Sequence, residues 1–219
     1  MFKWLLEFDK KVFLYLNGMH SPDWDYIMVW ITGNILWIPL YAFILFMVIY
    51  RERPYRFIFT ILFVAVTVLL CDQISVIIKN LVERPRPSHN SEIADLIHIV
   101  NNYRGGEYGF VSSHAANFFG VATFLSNQFK HYKWSLFLLS WAALISYSRI
   151  YLGVHYPLDI VCGAVLGVLI GLQCYIFKIW TAVYIERYID DRKSKKRRNE
   201  KIKKTEKDRY EKIMKTGIF

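Results

Sequence analysis

The chain alternates long apolar runs with short polar joints. Ile27–Tyr50 holds no Asp, Glu, Lys or Arg and stops at Arg51-Glu52-Arg53-Pro54; Phe57–Ile78 closes on Lys79. Ala115–Phe129 is shorter and opens inside a polar motif, and Trp134–Tyr147 runs into Ser148-Arg149. Ile160–Trp180 carries Gly163, Gly167 and Gly171 at a spacing of four, with Ala164 alongside. Roughly 20 apolar residues in a helix cross about 30 Å of hydrocarbon, so these runs predict five membrane spans. The glycine stripe in the last is the small-x-x-x-small pattern that lets another helix approach closely.

Residues 2–16 form a sixth apolar patch. Phe2, Leu5, Leu6, Phe8, Val12, Phe13 and Leu16 share roughly one helical face, with Glu7, Lys10 and Lys11 elsewhere. A short amphipathic segment with internal charges suits a helix lying in the interface. The region of Trp24 and Trp30 that follows reads as an aromatic anchor at the membrane boundary. The expected fold is an all-α polytopic membrane bundle of five spans plus an N-terminal interfacial helix, or six spans if that helix inserts. The expected divisions are an interfacial segment 1–26, a membrane domain 27–185 and a basic tail 186–219.

Composition agrees with the pattern. The 219 residues are 54% hydrophobic and 21% charged, with a mean hydropathy of +0.22. A length of this order allows one domain and a tail, and the apolar content excludes a disordered chain and disfavours an ordinary soluble enzyme. The net charge of +10 matters through its placement. Five spans put the termini on opposite sides, and the basic turns Arg51–Arg56 and Lys130–Lys133 then share a side with the tail from Glu186 to Phe219. The positive-inside rule assigns all three to the cytoplasm. The loop Asn80–Ser113 and the turn Ile150–Pro157 share the outer, periplasmic side of an inner membrane. The tail reads as disordered or as a solvated helix, or as a stretch that holds anionic lipid. Without aromatic interleaving or a binding fold, nucleic acid is not expected as a partner.

Cys71, Cys162 and Cys174 lie in apolar runs without a C-x-x-C pair and read as small buried hydrophobes. The N-terminus lacks the form of a cleavable signal peptide, because Glu7, Asp9, Lys10 and Lys11 interrupt its apolar residues.

Polar residues near a membrane are costly and are functional candidates by default. Here they gather at the outer ends of the spans: Lys79, Arg84 and Arg86; Ser112, Ser113 and His114; Ser148 and Arg149; His155 and Asp159. Four cations, two imidazoles and a carboxylate suit a phosphate ester. His155 and Asp159 are four apart, one helical turn if a helix begins near there. That carboxylate can fix the tautomer that presents Nε2 as a nucleophile. His114, near a helix N-terminus, has backbone N–H groups that favour an anion. With no zinc spacing or acidic metal cage, the chemistry reads as metal-independent, with no cofactor. Asp72 is expected to pack with a hydrogen bond. His89 and His98 are expected to be solvated or to touch headgroups, and His20 and His131 to be boundary residues. Arg84 and Arg104 are weaker headgroup candidates.

The pattern resembles the type 2 phosphatidic acid phosphatase superfamily. Its K-x6-R-P element is matched from Lys79 to Arg86-Pro87, and its S-R-x5-H-x3-D element by Ser148-Arg149, His155 and Asp159. Its P-S-G-H element is matched in part by Val111-Ser112-Ser113-His114, with Val111 for proline and Ser113 for glycine. The signature covers residues 79–159.

The resemblance implies roles residue by residue. Lys79, Arg86 and Arg149 grip the phosphoryl oxygens, and Ser112 with the backbone N–H of Ser113 adds neutral donors. His155 attacks phosphorus to form a phosphohistidine, oriented by Asp159. His114 protonates the leaving oxygen, and Ser148 supports. The two departures imply a freer turn and a weaker oxyanion contact. The substrate implied is a phosphorylated membrane lipid: lipid A phosphate first, then undecaprenyl pyrophosphate or phosphatidylglycerophosphate. A headgroup phosphotransferase and a non-catalytic membrane scaffold are the alternatives. A vanadium haloperoxidase shares the constellation by resemblance, but five apolar spans argue against it. The oligomeric state is not legible.

Overall fold

The structure is a computed structural model that describes residues 2–33, 35–52 and 54–216; Arg53 of the first basic turn lies outside them. Among the described residues, seven α-helices follow in order: α1 Phe2–Asn17, α2 Pro22–Thr32, α3 Ile38–Arg51, α4 Pro54–Val82, α5 Ser113–Phe129, α6 Tyr132–Tyr151 and α7 Pro157–Thr216. Among the described residues there is no strand, only an isolated antiparallel bridge between Pro85 and Tyr108.

Each predicted run is helical, with one difference. Ile27–Tyr50 is divided between α2 and α3, with a short 3-10 turn at Ile35–Trp37 and a bend of 64°. Gly33 ends α2, its N–H reaching the carbonyls of Val29 and Trp30. Pro39 lies in the first turn of α3, where its missing N–H costs nothing. By length and composition α4 and α7 can each cross a membrane, and α2 with α3 makes a third if the bent pair is one span. Helices α5 and α6, of 17 and 20 residues, fall outside that group: α5 is short, and both open or close on the polar joints.

Residues 1–176 form one compact unit. Its core is built from α4, α5, α6 and the first part of α7. Cys71, Ala116, Ala122, Phe124, Leu125, Leu138, Trp141, Ala142, Ile145, Ile170 and Cys174 form one buried cluster. The cysteines are free; Cys71 and Cys174 are buried, while Cys162 is only half-buried. The glycine stripe packs α7 against α5. A Cβ on Gly167 would lie 2.2 Å from the Ala116 carbonyl oxygen, and one on Gly171 2.3 Å from that of Gly120. Backbones so close leave no room for a methyl group, and this contact fixes the height of α7 against α5. On the outer surface of α4, Ile58, Leu62, Leu69 and Ile77 stay exposed. Such a band of apolar side chains has lipid as its natural neighbour. Residues 177–219 form a second unit, helical to Thr216, with Arg187–Tyr210 exposed throughout.

The N-terminal helix is tied into the bundle by one face. Asp9, Phe13 and Asn17, spaced by four on one face, are all buried. Asn17 donates to the carbonyls of Tyr151 and His98 at 2.8 and 3.0 Å and accepts from the His98 N–H at 2.7 Å. The opposite face exposes Trp4, Phe8 and Tyr15. His98 is therefore not a solvated loop residue: its Nε2 lies 2.8 Å from Asp25 Oδ1, and its ring stacks on His20 at 3.8 Å. These links tie the loop between α4 and α5 to α1, α2 and the end of α6.

Candidate active site

Three polar joints converge at one end of the bundle. The first is the segment after α4. The Arg86 N–H donates to the Glu107 carbonyl at 3.0 Å, and Gly109 N–H to that of Arg84 at 2.9 Å. This two-sided clasp fixes the Arg86 side chain, whose Nε donates to the Tyr108 carbonyl at 3.1 Å. Gly105 makes room for it: the residue has φ +67°, and a Cβ there would sit 2.7 Å from Arg86 Nη1.

The second joint is the start of α5. Ser112 is its N-cap, and its hydroxyl accepts from the Ala115 N–H at 3.4 Å. The Ser112 N–H donates to the Asp159 carbonyl at 3.0 Å, which joins this joint to α7. Ser113 turns its hydroxyl towards α4, where Lys79 Nζ donates to it and Ser75 Oγ lies 2.6 Å away. The glycine-to-serine departure thus supplies a hydroxyl that holds Lys79. Val111 is buried. His114 stands in the first turn of α5, within electrostatic reach of Arg149, His155, Arg86 and Lys79.

The third joint runs from the last turn of α6 into α7. Ser148 is buried, and its hydroxyl is spent on the Ile145 carbonyl at 2.6 Å. Arg149 is buried too; it donates from Nη1 to Thr32 Oγ1 at 2.9 Å and from Nη2 to the Tyr103 hydroxyl at 3.2 Å. The turn closes through the Val154 N–H on the Arg149 carbonyl at 3.1 Å, and Gly153, at φ +78°, makes the reversal possible. His155 follows, 2% exposed.

His155 precedes α7 rather than lying on it, yet the spacing of four still works. Tyr156 stands at the N-cap position and Asp159 at the third helical residue. The Asp159 carboxylate folds back to accept the Tyr156 N–H at 3.0 Å, the returning half of a capping box. That same Oδ2 faces His155 Nδ1 at 3.5 Å. Nδ1 is buried with no hydrogen-bond partner among the described residues, as is Arg149 Nε. On the other edge of the ring, Nε2 lies 3.3 Å from Arg86 Nη1. Burial, with the cations Arg86 and Arg149, drives the His155 pKa down to about 4, although Asp159 pulls the other way.

A family profile described as the PAP2 superfamily matches residues 57–182. The chain belongs to the PAP2 superfamily. Among curated proteins it is 43% identical over 169 residues to a lipid A 4'-phosphatase of Bacteroides thetaiotaomicron, covering 76% of this chain and 75% of that protein. It is 35% identical over 181 residues to a lipid A 4'-phosphatase of Porphyromonas gingivalis, covering 81% and 75%. The crystal structure of LpxE from Aquifex aeolicus matches with a TM-score of 0.54 and 27% identity, over 75% of this chain and 92% of that one. A PAP2-type phosphatidylglycerolphosphate phosphatase from Bacillus subtilis shares the fold at a TM-score of 0.57 and 23% identity, over 79% and 85%. This PAP2 protein is a membrane phosphatase.

The candidate site of this PAP2 protein brings together Lys79, Arg86, Ser112, Ser113, His114, Arg149, His155 and Asp159. Residues outside the signature elements bear on it too. Arg84 spans two carboxylates, Asp159 at 2.8 Å and Asp9 at 2.7 Å, instead of reaching towards a headgroup. Thr32 and Tyr103 hold Arg149, and Ser75 holds Ser113. Arg104 donates to the Ser88 carbonyl at 3.2 Å and braces its own loop. Asp9, Thr32 and Ser75 carry no motif, so only their distances reveal them. Among the described residues, no group of three or more His, Cys, Asp or Glu side chains could hold a metal ion.

Proposed function

We propose that the chain removes a phosphate monoester from lipid A at the periplasmic face of the inner membrane, through a phosphohistidine on His155. The observation that carries the chemistry is the position of His155 Nε2, 3.3 Å from a buried guanidinium on one edge while Nδ1 faces the Asp159 carboxylate on the other. The atom that attacks phosphorus lies against the cation that receives a phosphoryl oxygen. The 43% identity to a lipid A 4'-phosphatase favours that substrate over other lipid phosphates.

The phosphoryl group sits among Arg86, Arg149 and Lys79, whose charges offset the negative charge on its equatorial oxygens as the transition state forms. Ser112 and the Ser113 N–H add neutral donors at the start of α5. Neutral His155 uses its Nε2 lone pair to form an N–P bond while the P–O bond to the sugar breaks. Burial and the surrounding cations hold the His114 pKa low, at about 3; the negative phosphoryl group offsets those cations, so that His114 carries the proton it gives to the departing sugar oxygen. In the second step His114 takes a proton from water, whose oxygen attacks phosphorus. The N–P bond breaks, its electrons return to His155, and inorganic phosphate leaves. Asp159 holds the imidazole and offsets the charge on it in the phosphorylated state.

The test is phosphate release by the full chain in detergent micelles containing EDTA, with wild type beside His155→Ala. The panel is lipid A, undecaprenyl pyrophosphate, phosphatidylglycerophosphate and phosphatidic acid. Release from lipid A that disappears in His155→Ala, with acid-labile label trapped on wild-type protein, is the expected result. Preference for another lipid overturns the substrate, undiminished release by His155→Ala overturns the nucleophile, and loss of release in EDTA overturns the metal-free mechanism.

A further inference from the structure

We infer that Asp9 of α1 and Arg84 are positioning residues for the nucleophile, acting through Asp159; the inference rests on the assignment of His155 as that nucleophile. The geometry is a chain of buried charges. Asp159 has no exposed surface, and Oδ1 accepts from Arg84 Nη1 at 2.8 Å. Arg84 Nη2 donates to Asp9 Oδ2 at 2.7 Å. The other Asp9 oxygen, Oδ1, accepts the Leu158 N–H at 2.8 Å. Leu158 is the second residue of α7, so its N–H is one of the donors that the helix start cannot satisfy by itself. Asp9 therefore caps α7 from a different helix, while Arg84 ties that cap to the carboxylate facing His155.

Nothing in this chain touches the place of the phosphoryl group. Arg84 is occupied by two carboxylates, and its guanidinium lies over the Tyr156 ring at 4.2 Å. Its charge is matched locally, so it adds little to substrate binding. What it controls is where the Asp159 carboxylate sits and how much negative charge His155 feels. Free of Arg84, the carboxylate keeps only the Tyr156 N–H at 3.0 Å and can rotate away from Nδ1. Two buried carboxylates close together also need the cation between them. Burial raises the pKa of Asp9 even with Arg84 beside it. The groups whose charge reaches His155 are Asp159 on α7, Arg86 after α4, Arg149 on α6 and His114 on α5. Arg84 and Asp9 act on it through the first of these.

Asp9, Phe13 and Asn17 form the buried stripe of α1, and Trp4, Phe8 and Tyr15 form the exposed apolar side. The N-terminal helix is thus joined through Asp9 to His155.

The experiment measures kcat, KM and the acid limb of kcat/KM for the full chain in micelles, with the panel lipid that the wild type turns over. The variants are Asp9→Asn, Arg84→Gln, the double variant, Phe13→Leu and His155→Ala. Each single charge variant is expected to lose about ten- to a hundredfold in kcat, as for a misplaced catalytic group, with KM nearly unchanged. Their acid limbs move in opposite directions. Without Arg84 the full Asp159 charge favours protonated His155, and the limb rises; without Asp9 the undiluted Arg84 charge favours neutral His155, and it falls. The double variant is no worse than the poorer single one, because both act through one carboxylate. Phe13→Leu, which loosens α1 without altering charge, leaves the limb in place.

Undiminished kcat in the charge variants, limbs that move together, or a Phe13→Leu variant that reproduces the pH change would overturn the inference, provided His155→Ala is inactive. An active His155→Ala would instead overturn the nucleophile assignment beneath it. If Arg84→Gln does not fold, the direction of the Asp9→Asn limb decides alone.

Discussion

Gly105 contains no reactive atom, yet replacing it with alanine is expected to cripple the enzyme. The residue has φ +67°, and a Cβ there would stand 2.7 Å from Arg86 Nη1 and 3.1 Å from Cζ. The left-handed backbone costs an alanine about 1–2 kcal/mol. For a chain of this length that lowers Tm by about 2–4 °C per kcal/mol. The steric clash resolves differently. The guanidinium is the far end of a flexible side chain, so it moves while the backbone stays. Ordinary contact distance requires a displacement approaching about 1 Å, enough to cost on the order of 10²-fold in a positioned group.

Gly105→Ala should therefore lose about ten- to a hundredfold in kcat/KM while remaining folded. Gly106→Ala is the control, since a Cβ there meets nothing within 4 Å. The assay is phosphate release in micelles alongside thermal unfolding of both variants. Gly105→Ala activity within about twofold of Gly106→Ala would show that Arg86 is not held for phosphate in the pose assigned to it.

Other outcomes follow from single contacts. Gly167→Leu forces a side chain into a gap where even Cβ meets the Ala116 carbonyl oxygen at 2.2 Å; separating α5 and α7 should cost at least about 1–3 kcal/mol, read as a lower Tm. The pKa of His155 is lowered to about 4, and the proposed nucleophile is the neutral imidazole. Activity should thus persist as pH falls through 6.5 and fail only near the lowered value, so an acid limb of kcat/KM near 6.5 would contradict the assignment. Ser113→Ala removes the hydroxyl shared by Lys79 and Ser75; a hydrogen bond to a charged group is worth about 1.5–3 kcal/mol, and KM should rise about tenfold or more. An unchanged KM would mean that Lys79 keeps its place without Ser113.

Much of this protein is set by local rules that the chain states openly. Apolar runs of helical length place α4 and α7, because each helix satisfies its own backbone and needs only lipid or another helix around it. The glycines at 163, 167 and 171 announce a close helix contact, and α5 is their partner. The signature residues are also legible, since each sits at a helix end where the polar side chain would otherwise be an unexplained expense. Breaks are harder to read: Gly33 and Pro39 end and restart helices inside a run that carries no charge, so one predicted span is two helices. What only the tertiary structure decides is which distant residues complete the site. Asp9 lies 150 positions before Asp159, no motif links the two, and they share Arg84 because α1 folds across the start of α7. Ser113 breaks the family pattern in the sequence and becomes intelligible only when Lys79 and Ser75 are seen to meet it. Local periodicity determines helices; the burial of a charge requires a partner, and only three-dimensional packing determines where that partner comes from.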